Sequence, residues 1–126
     1  MDHYTPINQT IEFTTRANSL LNPLNPHSGL LLIGDGGVEF QGEKSPGYIQ
    51  IPWQFVTEVR VQLLFWDRYV RGFTIQTKDD ETGLHEFEFI VKDAKSALKV
   101  MRRHLDRPLF VRQRSNFGQL FKKKKD

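Results

Sequence analysis

Between residues 11 and 91 apolar and polar side chains alternate in short stretches, a period of two that predicts half-buried strands. Ile11-Glu12-Phe13-Thr14-Thr15 alternates, Leu30 to Ile33 is a brief apolar run, and Val38-Glu39-Phe40-Gln41 alternates again. The intervening Gly34-Asp35-Gly36-Gly37 reads as a hairpin turn. Ile49, Ile51 and Trp53 share one parity. Val59, Val61, Leu63 and Phe65 share a face against Glu58, Arg60 and Gln62. Phe73, Ile75 and Thr77 lead into the polar turn Lys78 to Gly83, after which Phe87, Phe89 and Val91 face inward opposite Glu86 and Glu88. The expectation is an antiparallel barrel or sandwich of about six to seven strands.

The period then lengthens. Asp93 is a good N-cap, and Ala94, Ala97, Leu98, Met101 and Leu105 recur at steps of three and four, predicting a helix over about 93–105. Its other side carries Lys95, Lys99, Arg102 and Arg103, and Pro108 is expected to stop it. Strands first and one helix closing the domain is a pleckstrin-homology-like order, so the fold class is mainly β with one C-terminal helix. Residues 1–107 form that domain in this reading, and 108–126 form a basic amphipathic tail. Residues 22–28 and 42–47, with Pro23, Pro26, Gly42, Pro46 and Gly47, read as loops.

Composition refines the picture. A chain of 126 residues with ten Phe suits a single domain with a real core. The absence of Cys rules out disulfides, thiol catalysis and Cys-ligated metal sites, and suits a cytoplasmic setting. The N-terminal residues show no basic stretch followed by an apolar one, and no run approaches the roughly 20 residues that span a bilayer.

Charge is segregated. Residues 1–91 hold 6 Lys/Arg and 12 Asp/Glu, a net of −6, whereas residues 92–126 hold 12 and 3, a net of +9. In the final stretch Phe117, Leu120 and Phe121 stand at i, i+3 and i+4 beside Lys122, Lys123, Lys124 and Lys125. Four lysines at about 1 kcal/mol each give roughly millimolar attachment to an anionic leaflet, so the apolar triplet must add to it. Docking of this kind is reversible and weakened by salt.

Catalytic and metal patterns are not found. His3, His27, His85 and His104 lack paired ligand spacing, and the glycine cluster lacks the Lys-Ser/Thr of a phosphate loop. Asp79-Asp80-Glu81 does not match a calcium loop and reads as a solvated hairpin tip. The expectation is therefore a protein that is not an enzyme, with no catalytic residues, cofactor or metal. Phe65-Trp66 and Tyr69, with Arg68 and Arg71, form either an exposed binding rim or an edge hairpin whose rings cover the core.

Several segments, taken in order, resemble one family. They are Gly29 to Gly34 with Val38-Glu39-Phe40, Ile49-Gln50-Ile51-Pro52-Trp53, Phe73 to Lys78, Phe87-Glu88-Phe89 with Lys92 to Lys95, and Arg112 through Phe121. Together they resemble the ManO-like family, small bacterial proteins of unknown function associated with operons of the mannose-type sugar phosphotransferase system. The longer Asp79 to Gly83 turn and the Pro-rich stretch around Pro23 and Pro26 depart from its pattern. The resemblance implies an accessory or regulatory protein whose partners are the transporter's membrane subunits. With the charge pattern, it makes Arg112, Arg114, Phe117, Leu120, Phe121 and Lys122 to Lys125 the expected interface, peripheral at the inner face of the cell membrane. Two rivals are a transcriptional regulator of the mannose operon and a lipid-headgroup module of pleckstrin-homology or GRAM type. Against the first, no helix-turn-helix pattern is present, so specific nucleic-acid binding is not expected.

Overall fold

A computed structural model describes residues 5–20, 26–43, 48–65 and 68–113. Seven strands come first: β1 (Ile11–Ser19), β2 (His27–Gly34), β3 (Gly37–Gly42), β4 (Tyr48–Pro52), β5 (Val56–Leu64), β6 (Tyr69–Asp79) and β7 (Gly83–Val91). Helix α1 (Ala94–Met101) and a short strand β8 (Phe110–Gln113) follow. All eight strands belong to one sheet of order β4-β3-β2-β1-β7-β6-β5-β8.

The alternation seen in the sequence does set the faces. Leu31, Ile33, Val38, Phe40, Ile51, Val59, Phe73, Ile75, Phe89 and Val91 are all buried on the concave side, closed by Ala94, Ala97, Met101 and Leu105. Strand order then dictates shape. β4 and β5 stand six strand spacings apart, roughly 29 Å across a flat sheet. Only the 3₁₀ turn Trp53–Phe55 connects them, and such a link reaches roughly 14 Å. The sheet must curl, and α1 packs against β1, β2 and β6 inside the curl.

Three expectations need correction. There are eight strands instead of six or seven, the sheet is mixed instead of antiparallel, and it is not closed, with β4 and β8 as its edges. The cause is β8. Val59 pairs with Phe110 and Gln62 with Gln113 in parallel register, an arrangement that needs a long crossover, here through β6, β7 and α1. The stretch expected as tail thus begins inside the sheet. The helix is also shorter than its apolar stripe. Asp93 caps it by accepting from the Ser96 N–H (3.3 Å), as expected, but it ends at Met101, before Pro108. Residues 102–105 tighten through Arg103 N–H to Val100 O and His104 N–H to Met101 O, both 3.0 Å. That turn carries Leu105 into the core and lays the His104 ring on Trp53, with centroids 5.0 Å apart.

Candidate functional site

Chemistry on the outer faces of the sheet is largely spent on the fold. On β5, Arg60 holds Glu58 (Nε to Oε2, 2.9 Å) and Glu86 of β7, and Gln76 Nε2 donates to Glu86 Oε2 (3.3 Å). The Arg60 hydrogen bond keeps the Glu86 carboxyl below its ordinary range. Gln62, read from the sequence as outward and solvated, is only 7 % exposed. It donates to Glu88 Oε2 (2.7 Å), and neighbouring Thr74 donates to Gln113 Oε1 (3.3 Å), because β8 covers this end of β5.

The glycine cluster serves structure in the same way. Asp35 and Gly36 turn β2 into β3, as expected, and residues 5–10 lie directly on that turn. Asn8 Oδ1 accepts from Gly36 N–H (2.6 Å) and Gly37 N–H (2.8 Å), while its Nδ2 donates to Glu39 Oε1 (2.9 Å). Asp35 Oδ1 accepts from Thr10 N–H (3.1 Å) and Gln9 N–H (2.8 Å). These backbone bonds, Thr10's foremost, lower its pKa. A Cβ on Gly36 would stand 1.9 Å from Ile7 O, so glycine is needed there for close backbone approach and not for phosphate binding. Glu39, expected on a solvated face, is fully buried beneath this segment and also accepts from Gln50 Nε2 (3.1 Å).

His104 joins two elements: its Nε2 lies 2.8 Å from Glu12 Oε1 while its ring stacks on Trp53. Among the described residues no group of three or more His, Asp or Glu could hold a metal ion. The acidic turn is a hairpin tip, with Asp79 Oδ1 accepting from Glu81 N–H (2.9 Å) and Gly83 at φ 84°.

The open edge of the sheet is different. Between α1 and the β5–β8 edge lies a cleft of about 620 Å³. Lys95, Lys99 and Arg102, spaced i, i+4 and i+7, form its helical wall, and Arg107 joins them from the 3₁₀ turn Arg107–Leu109. Val61, Leu98 and Phe110 form an apolar floor. All four cations are exposed, and none makes an ion pair among the described residues. The sole acid in the lining is Asp93, already engaged as the helix cap. Four like charges around one hollow repel one another and attract an anion, with stems long enough to reach over the floor.

Of the interface residues expected from the sequence, Arg112 alone falls within the described residues. It stands opposite Val61 in the β5–β8 pairing and so shares the sheet face of the cleft floor. Arg114, Phe117, Leu120, Phe121 and Lys122 to Lys125 lie outside the described residues. Sequence reasoning missed Arg107 and Phe110 as partners of the helical cations. Their place depends on the pairing of β8, which leaves no local signal. Of the aromatic hairpin, Phe65 and Tyr69 are exposed and do not cover the core, while Trp66 lies outside the described residues. No described helix is long and apolar enough to cross a membrane.

Comparison with known proteins adds a family and a fold. Residues 4–124 match the model described as Domain of unknown function (DUF956), and the chain belongs to that family. The match names neither a transporter nor an operon. No curated protein matches the chain. A solved structure of similar fold is the crystal structure of the C-terminal domain of an unknown protein from Leishmania infantum, with a TM-score of 0.58 and 10% identity over 75% of this chain and 83% of that one. That likeness is one of fold.

Proposed function

We propose that this member of the DUF956 family is a non-enzymatic accessory or regulatory protein of a mannose-family sugar phosphotransferase system, held against the transporter's membrane subunits at the cytoplasmic face. The link to that transporter comes from the ManO-like segments. The docking part of the reading is carried by one observation: Lys95, Lys99, Arg102 and Arg107 surround a single cleft, with Arg112 on the adjoining strand and no carboxylate partner for the four lining cations among the described residues. Charge complementarity makes an acidic segment of the partner the natural occupant, its apolar residues resting on Val61, Leu98 and Phe110. The residues that continue beyond Gln113 supply further cations in sequence, from Arg114 to Lys125, and would extend the same contact.

A second reading has support from the size and lining of the cleft. About 620 Å³ with an apolar floor and a basic wall also suits an anionic lipid headgroup, the function of the pleckstrin-homology-like alternative.

Capture from membranes tests both. The full-length chain and a version ending at Gln113 are used as bait in membranes with and without the mannose transporter, at low and high salt. Capture that requires the transporter, weakens with salt and falls on truncation is expected. Equal capture from membranes lacking the transporter would transfer the cleft to a lipid, and capture of DNA alone would revive the regulator.

A further inference from the structure

We propose that the cleft between α1 and the β5–β8 edge binds a small soluble molecule that joins two or more phosphate groups to a flat apolar ring, the chemistry of a nucleoside polyphosphate. Its occupancy and the docking of a partner's acidic segment exclude one another, and only that exclusion rests on the docking reading.

The helical wall supplies several charges at close spacing. Lys95 and Lys99 are one turn apart and Arg102 follows three residues later, so neighbouring stems leave the helix roughly 5–6 Å apart and the row spans roughly 10 Å. One monovalent anion would leave most of that charge uncompensated, whereas phosphates in a chain carry negative charge at successive groups. Arg102 and Arg107 add planar forks that fit phosphate oxygens in pairs. None of the four cations makes an ion pair among the described residues, and outside those residues the only acids in the sequence are Asp2, Asp67 and Asp126. The chain has little of its own with which to neutralise this hollow.

The floor separates this ligand from a bare anion. Val61, Leu98 and Phe110 are half-buried and line the cleft, so part of each stays open to it. The parallel pairing of β8 sets Phe110 beside Val59 and holds an aromatic side chain close to the basic wall. A ring lying there removes apolar surface from water while its phosphates reach the cations; inorganic phosphate would leave the floor wet. The Ser96 hydroxyl, which makes no hydrogen bond among the described residues, offers the ring a polar contact. At about 620 Å³ the hollow lies within the roughly 300–1,000 Å³ of small-molecule sites, and every residue lining it is described.

The test titrates the full-length chain by calorimetry, without membranes and with EDTA present, using ATP, pyrophosphate and adenosine as probes. ATP is expected to bind about tenfold more tightly than pyrophosphate, and adenosine more weakly than either. Lys99→Gln with Arg102→Gln should weaken ATP at least about tenfold and flatten its salt dependence. Phe110→Leu keeps the floor apolar but removes the flat ring, so it should bring ATP close to pyrophosphate and leave pyrophosphate unchanged, with the thermal midpoint checking that each variant is folded. Added to the membrane capture assay, ATP should lower transporter-dependent capture. No ATP binding, or equal affinity for ATP and pyrophosphate, overturns the proposal. So does ATP binding untouched by Lys99→Gln with Arg102→Gln, which would place the anion on the basic sequence after Gln113. Phosphatidylglycerol vesicles that bind through the same two residues and resist ATP would assign the cleft to lipid and overturn it as well. ATP binding needs no transporter, so it and the docking reading can fail separately, and ATP that binds without lowering capture removes the mutual exclusion.

Discussion

Arg60 and Arg102 are the same side chain in opposite circumstances. Arg60 is half-buried on the outer face of β5, gripped by Glu58 and Glu86, whereas Arg102 stands exposed at the end of α1 with no carboxylate partner among the described residues. The contrast extends to their surroundings. Outer-face groups such as Asn8, Glu39, Gln62 and Glu88 bond to one another, while Lys95, Lys99 and Arg107 face a hollow. Charge that is internally neutralised contributes to the fold; charge left open is available to a partner. Net charge along the sequence hints at this division but does not locate it, since the acidic portion contains Arg60 and the basic portion contains Asp93.

The sharpest way to break the contrast is to attack the satisfied side. Asn8→Ala removes two acceptor bonds to backbone N–H groups and one donor to buried Glu39, and should cost about 2–4 kcal/mol in urea unfolding. Capture per folded molecule should not change. If stability barely moved, the hydrogen bonds from residues 5–10 to the Gly34 to Gly37 turn would not be holding the fold.

On the open side the effects should invert. Lys99→Glu with Arg102→Glu should reduce capture on transporter membranes by about ten- to a hundredfold, at roughly 1 kcal/mol per charge removed or reversed. Unfolding free energy should move by less than about 0.5 kcal/mol, because no described partner is lost. A large loss of stability with intact capture would reassign these cations to the fold.

The smallest effect concerns Arg60. Its pairs are partly solvated, so Arg60→Ala should cost only about 1 kcal/mol at neutral pH. Because Glu86 titrates below its ordinary value of 4.5 in the folded chain, the folded state binds fewer protons there than the unfolded state. That stabilisation is fully present above the ordinary value and is lost as pH falls from there through the lower folded value. Denaturation midpoints followed from about pH 6 to about pH 3 should show a shallower acid limb in the variant. Identical limbs would remove Glu86 from the comparison.

How much was legible varies by residue. Val59, Phe73, Ile75, Phe89 and Val91 could be placed inside from alternation, because a strand's side chains point to opposite faces with a period of two. Asp93, Ala94, Ala97 and Met101 were equally plain, since capping and helical spacing are local. Val100 was missed, although it is buried at the end of α1. Phe65 broke its parity because the hairpin turns at that residue, with a left-handed backbone that alternation does not encode. Gln62 and Glu39 looked solvated and are buried, one beneath β8's end and the other beneath residues 5–10.

The order of residues alone determined which segments extend, which coil, which side of each is apolar, and that positive charge accumulates after residue 91. Only the folded chain decided that Phe110 to Gln113 would lie parallel to β5, that the sheet would curl yet stay open, and that Arg107 would meet Lys95, Lys99 and Arg102 across one hollow. The physical reason is range. Periodicity and capping are set by neighbours a few residues apart, whereas a parallel pairing some fifty residues apart depends on the crossover that returns the chain to the sheet.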